Sequence, residues 1–313
     1  MQTPRTKSAY LFPGQGVLPH DLCEYYTFLK LKDPVLVEKF INLLQSSLDQ
    51  ANPESKFKVL NNLANEASQD WERTDFVQPL IFILNLLTYE LIKGTPEYML
   101  GYSLGAFSAL VASGALNIEE GTRIVAARGK FMQEDSEKAT KGMCTVLGLT
   151  EDQVNLLCKK TNSEIVIMSA PTAYVLGCLR SNFSQIESEA ALLGARKVIR
   201  LTTAGAFHSQ AMLGSYNKLK DLLKDVNFSK PRIPVVINLN GLASDDPAQL
   251  KNDIIESTIT PVNWIRMIEF LKSNEVTTFV EVGPGTALSS LCRLNGIDRD
   301  QISHAKTILT PAN

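Results

Sequence analysis

A single pentapeptide, GYSLG at positions 101–105, places the strongest constraint on the fold of this chain. It fits the pattern G-x-S-x-G, in which a serine lies on a sharp turn between a strand and a helix. Apolar residues at 98–100 precede it and a small apolar run at 106–112 follows it. Gly101 and Gly105 suit a strained turn whose helix packs so close to the strand that no Cβ atom fits. The pattern therefore predicts a short strand, a turn carrying Ser103 and a buried helix.

The pentapeptide is common by chance, so its partners decide whether Ser103 is a nucleophile. A serine hydroxyl needs a base to take its proton, and that base is normally a histidine. The chain has three histidines. His20 lies at an apparent helix start and His304 in a polar stretch near the C-terminus, where we expect capping and solvent-facing roles. His208 follows a predicted strand and lies among small residues, so by elimination it is the candidate base.

Two further features would complete an acyl-transfer site. One is an oxyanion hole, for which Leu104 supplies the amide after the nucleophile and the loop at 14–16 is a plausible second source. The other is a substrate anchor. Arg128 lies alone in an apolar helical stretch, and its guanidinium matches a carboxylate in bidentate fashion. A structural ion pair with a helix or loop carboxylate explains this arginine equally well.

The order of the predicted elements changes between residues 136 and 200. Alternating patterns there predict strand, helix, two strands, helix and strand, at 143–149, 151–160, 164–168, 173–178, 183–193 and 197–202. This β-α-β-β-α-β order is the ferredoxin-like arrangement. We therefore expect an α/β fold in which a hydrolase-like large domain with a parallel-sheet core, 1–135 and 200–313, contains an inserted small ferredoxin-like domain, 136–199.

Composition excludes several other classes of function. A net charge of -2 gives no electrostatic reason to expect a nucleic acid or an anionic membrane as a partner. The longest apolar run, 79–92, predicts a core helix because it is too short to span a bilayer. The five cysteines form no C-x-x-C pair, so neither a disulfide framework nor a zinc site is indicated. With no secretory signal apparent at the N-terminus, we expect a cytoplasmic protein.

Five motifs occur in a characteristic order along the chain. They are LFPGQG at 11–16, GYSLG at 101–105, RGKFMQ at 128–133, GAFHS at 205–209 and VEVGPG at 280–285. From about Ala9 to Leu291 the chain thereby resembles the malonyl-CoA:acyl carrier protein transacylases of fatty-acid synthesis and the free-standing acyltransferases of polyketide synthesis. The resemblance implies a ping-pong transfer from malonyl-CoA to a holo acyl carrier protein. It implies a monomer without a cofactor or metal of its own, since the substrates carry coenzyme A and phosphopantetheine.

The resemblance also implies roles for individual residues. Ser103 would attack the malonyl thioester with His208 as base, and Arg128 would pair with the malonyl carboxylate. Phe207 matches the position that narrows the pocket and goes with malonyl over methylmalonyl, and Gln78 matches a further pocket residue.

The oxyanion hole follows from the same resemblance. The backbone amides of Gln15 and Leu104 would form it. Because the family generally orients its histidine with a backbone carbonyl, no acidic third member is expected.

Some positions depart from the family pattern. The family usually has histidine before the nucleophile and glutamate soon after the elbow, where this chain has Tyr102 and Ala106. Ser257 replaces a glutamine, and the segments VLP at 17–19 and IMSAP at 167–171 replace a Ser-Gln and glycine-rich continuation and an asparagine-rich stretch. These changes bear on rate, acyl preference and choice of carrier.

Three other functions stay open at this point. An acyl hydrolase of the same fold would strip stalled acyl groups from carrier proteins, since altered surroundings at Tyr102 and Ala106 would suit a looser site that admits water. Retention of Arg128 argues against that, because a hydrolase of neutral acyl groups has no use for it. A non-catalytic docking subunit would need Ser103 and His208 to be idle. An unrelated α/β-hydrolase esterase leaves the inserted β-α-β-β-α-β block unexplained.

Overall fold

Two β-sheets organise the chain, and the nucleophile turn lies at the edge where they approach each other. The computed structural model describes residues 6–54, 57–138, 140–201 and 205–310. The strands in these ranges are β1 Lys7–Phe12, β2 Tyr98–Gly101, β3 Lys141–Leu147, β4 Glu164–Ala170, β5 Ala173–Leu179, β6 Lys197–Arg200, β7 Val235–Val236, β8 Ala243–Ser244, β9 Val262–Asn263, β10 Val276–Glu281 and β11 Ile302–His304.

Helices cover both sheets. The α-helices in the same ranges are α1 Pro19–Lys32, α2 Pro34–Ala51, α3 Val59–Leu63, α4 Thr74–Ile92, α5 Gly105–Ala112, α6 Ile118–Glu137, α7 Glu151–Thr161, α8 Phe183–Leu192, α9 Leu213–Leu222, α10 Pro247–Glu256, α11 Trp264–Ser273, α12 Ala287–Leu294 and α13 Ala305–Ile308.

The larger sheet has the order β11-β10-β1-β2-β7-β8, and all its neighbours are parallel except β7 and β8. Its central strands are apolar and buried, as expected of a parallel sheet covered by helices on both faces. β1 and β2 run in register, with Phe12 opposite Gly101. The loops that leave these two strands therefore start side by side at the carboxyl edge, where open α/β sheets bind their ligands.

The smaller sheet has the order β6-β3-β5-β4-β9. Its first four strands are antiparallel, and with α7 and α8 they follow the β-α-β-β-α-β order that the sequence predicts. The α/β fold class with a parallel-sheet core is thus confirmed. β9 comes from beyond residue 200 and adds to this sheet in parallel with β4, so the sheet extends past the predicted insert. The division into domains at 136–199 stays a prediction.

Helix α4 differs most from its predicted form. Proline favours the first turn of a helix, so the sequence suggests a start at Pro79. The helix instead begins at Thr74 and contains Pro79 inside it. The prediction that this apolar run is too short to span a bilayer is wrong, because the 19-residue helix is long and apolar enough to do so. However, 78% of its apolar window is buried inside the protein. The expectation of a core helix is confirmed.

One detail of the predictions falls outside the described residues. The strand predicted at 197–202 ends at Arg200, and Thr202 is not among the residues described. The other strands and helices predicted from the sequence are present, with ends that shift by a few residues.

Candidate active site

The nucleophile turn is built by backbone contacts that only glycine permits. A Cβ on Gly101 would lie 1.8 Å from the carbonyl carbon of Gly105, and a Cβ on Gly105 would lie 1.9 Å from the oxygen of Phe12. Helix α5 can therefore begin directly against β1 and β2. Ser103 is held at the turn with a φ of 53°, in the left-handed region that L-residues rarely adopt. Such strain at a non-glycine residue is typical of functional positions.

Ser103 and His208 form the hydrogen bond that the sequence analysis anticipates. The Oγ of Ser103 lies 2.7 Å from Nε2 of His208, and Nδ1 of His208 lies 2.6 Å from the carbonyl oxygen of Ser257. A carbonyl oxygen only accepts, so Nδ1 carries the ring proton of the neutral imidazole. Nε2 is then left as the acceptor for the Ser103 hydroxyl. The carbonyl of Ser257, at the end of α10, thus sets the tautomer that a general base requires.

Burial keeps His208 uncharged at neutral pH. The imidazole is 3% exposed, and its burial, together with the positive charge of Arg128, lowers the pKa of His208 to about 4. The hydrogen bond to Ser257 opposes this shift. His208 is therefore in its basic form throughout the physiological range.

The loop at 14–16 lies against the nucleophile turn. A Cβ on Gly14 would lie 2.4 Å from the oxygen of Tyr102 and 3.6 Å from the amide nitrogen of Leu104. Among the hydrogen bonds of the described residues, neither the Gln15 amide nor the Leu104 amide has an acceptor. Both residues line the same cavity as Ser103. This placement suits the two oxyanion-hole donors that the family resemblance implies.

Arg128 is a buried cation with no counter-ion among the described residues. Its side chain is 4% exposed, it forms no ion pair with the described residues, and its Nε has no hydrogen-bond partner there. Nη1 donates to Oε1 of Gln78, and the guanidinium lies 5.3 Å from the ring centre of Phe107. Burial lowers the pKa of Arg128 to about 10, so the group stays charged. The alternative of a structural ion pair is therefore not found in the described part of the chain.

One cavity of about 480 Å³ joins these groups. Ser103, His208, Arg128, Gln78 and Phe207 all line it. The rest of its wall is mainly aliphatic. Met132 comes from α6 and Leu201 follows β6. The other aliphatic residues come from the smaller sheet and α12, and they are Met143, Leu147, Ile167, Ala173, Val175, Ala287, Leu288, Leu291 and Leu294. The structure thus brings every predicted site residue together in one place. Each residue's role stays a proposal.

Tyr102, which departs from the family pattern, contacts both Ser169 and Trp264. Its hydroxyl lies 2.9 Å from Oγ of Ser169, and its ring meets that of Trp264 edge to face. Asn295 donates to the carbonyl oxygen of Ser169 at 2.9 Å. Burial raises the pKa of Tyr102 to about 12, so its hydroxyl stays protonated. Tyr102 therefore ties the nucleophile turn to β4 of the smaller sheet.

The other two histidines lie away from the cavity. His20, half exposed in the first turn of α1, lies 3.1 Å from Asp21. The expected solvent role of His304 is wrong, because its Nε2 lies 2.7 Å from the oxygen of Gly285 and its ring meets Tyr25 edge to face. Among the described residues no group of histidine, cysteine and acidic side chains could hold a metal ion, and the cysteines are unpaired.

Sequence reasoning missed two contributors to the site. The carbonyl of Ser257 carries no side-chain signal. Thr74 lies four residues before Gln78 on α4, and its Oγ1 contacts both Gln78 and Gln15. That i, i+4 spacing places Thr74 and Gln78 on one helix face, and it becomes visible only once α4 is known to begin at Thr74.

Comparison with known proteins places this site in a family. The acyl transferase domain family matches residues 38–308. The malonyl CoA-acyl carrier protein transacylase of Staphylococcus aureus strain MW2 is 27% identical over 303 residues, which cover 94% of each chain.

Solved structures agree on the fold. The malonyl CoA-acyl carrier protein transacylase of Coxiella burnetii superposes with a TM-score of 0.82 at 22% identity, covering 97% of this chain and 95% of its own. A malonyl-transacylase in complex with its type II PKS acyl-carrier protein gives a TM-score of 0.80 at 21% identity, covering 96% and 95%. With a family match over most of its length and a serine, a histidine and the family's motifs gathered around one cavity, the chain belongs to the acyl transferase domain family.

Proposed function

We propose that the protein transfers a malonyl group from coenzyme A to the phosphopantetheine thiol of an acyl carrier protein through an ester on Ser103. The uncompensated charge of Arg128 beside the Ser103–His208 pair is the observation that carries this proposal. A buried guanidinium is costly unless an anion meets it, and the carboxylate of a malonyl group supplies that anion. The names of relatives such as that of Staphylococcus aureus support the same activity.

The first half of the reaction loads the enzyme. Nε2 of His208 takes the proton of the Ser103 hydroxyl as Oγ forms a bond to the thioester carbon. The amides of Gln15 and Leu104 hold the negative charge that develops on the oxygen. The carbon–sulfur bond then breaks, and His208 returns its proton to the leaving coenzyme A thiolate.

The second half runs the same steps in reverse. His208 takes the proton of the phosphopantetheine thiol, whose sulfur attacks the carbonyl carbon of the malonyl ester. The carbon–oxygen bond to Ser103 breaks, and His208 returns the proton to Oγ. Because His208 is neutral at the start of each half, it serves as base and then as acid in both.

The structure does not favour the alternative of a carrier-protein hydrolase. That function would suit a looser site around Tyr102, yet Tyr102 is hydrogen-bonded to Ser169 and packs against Trp264. A hydrolase that clears neutral acyl groups would also leave Arg128 without a ligand. Both observations support transfer of a carboxylated acyl group over hydrolysis.

Replacing Arg128 tests the proposed substrate class. We expect Arg128→Ala to lower kcat/KM for malonyl-CoA by about 30-fold or more, because losing one partner of a buried charge pair costs at least about 2 kcal/mol. Loading with acetyl-CoA, which has no carboxylate, should change by no more than about threefold. The measurement is the rate of acyl-enzyme formation with each thioester.

The matched control is Lys130→Ala, which removes a cation from the same helix α6 at a position that does not line the cavity. It should leave the ratio of malonyl to acetyl loading unchanged. An equal loss for both thioesters in Arg128→Ala would show that Arg128 does not select the carboxylate.

Further features of the proposal rest on the sequence and the family. The donor is malonyl-CoA, the acceptor is a holo acyl carrier protein, and the enzyme works as a cytoplasmic monomer without a cofactor of its own. We also propose that the insert 136–199 is a separate small domain, whose strands carry part of the cavity wall.

A further inference from the structure

Three hydrogen bonds connect the buried guanidinium to the loop that holds the Gln15 amide. Arg128 Nη1 donates to Oε1 of Gln78, Nε2 of Gln78 donates to Oγ1 of Thr74 at 2.9 Å, and that hydroxyl donates to Oε1 of Gln15 at 2.8 Å. Thr74 is fully buried, and Gln78 is 2% exposed. The bonds therefore form one continuous chain, shielded from water for most of its length.

The direction of each bond in this chain is fixed. A guanidinium has only donors, so the amide oxygen of Gln78 must face Arg128 and its NH₂ must face Thr74. The Thr74 hydroxyl accepts that bond, and its one hydrogen is then available for Gln15. Because all the bonds point the same way, from the cation toward Gln15, each polarises the next and strengthens it.

Thr74 itself is held in place from two sides. Its backbone amide donates to Oε1 of Gln133 at 3.0 Å. Helix α6 also lies very close, since a Cβ on Gly129 would be 3.1 Å from the oxygen of Thr74 and 2.9 Å from Cα of Asp75. The Thr74 hydroxyl is therefore a rigid point on a packed helix pair.

The last bond reaches a loop whose start is already anchored, since Asn85 donates to the oxygen of Pro13 at 2.9 Å. Gln15 lies between Gly14 and Gly16, and Gly16 has a φ of 135°, a conformation that side chains oppose. Among the described residues, the bond from Thr74 is the one hydrogen bond made by the Gln15 side chain. An amide in such a loop serves an oxyanion only if its position is held to within about 0.5 Å.

We propose that Thr74 is a positioning residue that couples the carboxylate-binding arginine to the oxyanion loop through Gln78 and the side chain of Gln15. This inference rests on the proposed function for the roles of Arg128 and the Gln15 amide. It adds that the two are not independent subsites. A malonyl carboxylate that binds Arg128 acts on the same hydrogen-bonded unit that orients the Gln15 amide. The identity of the acyl group therefore affects the rate of acylation as well as the affinity for the thioester.

The test is a double-mutant cycle between Thr74→Val and Gln15→Ala. Thr74→Val keeps the shape of the side chain without the hydroxyl, and Gln15→Ala keeps the backbone amide without the side chain. With acetyl-CoA we expect each single variant to lower the limiting rate of Ser103 acylation about tenfold, a part of the 10²–10³ lost when an oxyanion donor is removed outright. The double variant should lose the same tenfold, because both changes break one link.

Measurements with malonyl-CoA distinguish the hydrogen bonds toward Arg128 from the hydrogen bond toward Gln15. Thr74→Val also frees the Gln78 amide, so it should raise the concentration of malonyl-CoA that gives half the limiting rate, whereas Gln15→Ala should not. Thr74→Ser restores the hydroxyl and should recover most of the rate. The matched control is Thr88→Val on the same helix α4, where an equally buried hydroxyl donates to the oxygen of Leu84 and neither residue lines the cavity. Its acylation should match the wild type.

Two results would overturn the coupling. One is a rate for Thr74→Val or Gln15→Ala within twofold of the wild type with acetyl-CoA. The other is a double variant whose loss is the product of the single losses, which would mean independent effects. If Thr74→Val fails to fold, the acylation rate of Gln15→Ala with acetyl-CoA tests the first of these results by itself, because Gln15 lies on a half-buried loop. A wild type that loads acetyl but not malonyl groups would contradict the proposed function and leave this test intact.

Discussion

His208 is the proposed base, and its surroundings have opposing effects on its pKa. Burial and the charge of Arg128 disfavour the imidazolium, whereas the Ser257 carbonyl favours it. Burial prevails, so the base is neutral at working pH. An acidic third member would raise the pKa of His208, so it is not needed to keep the ring neutral. A carbonyl oxygen fixes the tautomer without adding a charge beside the buried imidazole.

The lowered pKa of His208 predicts the pH dependence of loading. With limiting acetyl-CoA, acylation should be flat near neutral pH and fall tenfold per unit only below about pH 4, where the imidazole takes a proton. In Arg128→Ala the repelling charge is gone, the pKa of His208 rises, and the fall should begin at higher pH. Rapid-quench measurement of the acyl-enzyme checks both. A fall centred near pH 6.5 in both proteins would contradict this electrostatic account.

The lowered pKa of His208 also lowers the free energy of unfolding at acidic pH. The folded pKa of His208 lies below its unfolded value of about 6.5, so the unfolded chain binds more protons between these two values. This residue's contribution to the free energy of unfolding is therefore present above pH 6.5 and is lost as the pH falls toward 4.

Among the structural elements, the turn between β2 and α5 was the most predictable from sequence. Its two glycines, the apolar strand and the small-residue helix each point to the same local structure, and the contacts at Gly101 and Gly105 explain why. Helix α4 was less predictable, because Pro79 suggests a helix start and tertiary packing overrides it. The Ser257 carbonyl could not be predicted at all, since any residue type offers the same oxygen.

The strand–turn–helix element predicts a large steric penalty at Gly105. Gly105→Ala should lower the free energy of unfolding by more than about 3 kcal/mol, the upper end of the usual overpacking cost, because the new Cβ meets the backbone oxygen of Phe12. Gly194→Ala is the control, since Gly194 has a φ of 90° but nothing within 4 Å of a new Cβ. Its cost should be about 1 kcal/mol, from conformation alone. Equal losses in urea titrations of the two variants would contradict the steric argument.

At the scale of the whole molecule, the cavity belongs to both sheets. The larger sheet contributes the nucleophile turn and the 14–16 loop, and the smaller sheet contributes an aliphatic wall. The sequence indicated a parallel-sheet core and the β-α-β-β-α-β order of the elements between residues 136 and 200. It did not reveal the addition of β9 to β4 or the bond from Tyr102 to Ser169, because both join segments far apart in the chain. Such long-range contacts leave no local pattern.

The most direct test of the central claim follows the malonyl group itself. The protein is loaded with malonyl-CoA, its intact mass and the modified peptide are measured, and holo or apo acyl carrier protein is then added. We predict one malonyl group on Ser103, none in Ser103→Ala, and transfer to the holo carrier faster than release of free malonate. Absence of the Ser103 ester, or release of malonate faster than malonyl-carrier forms, would contradict the assignment of this protein as a malonyl transferase.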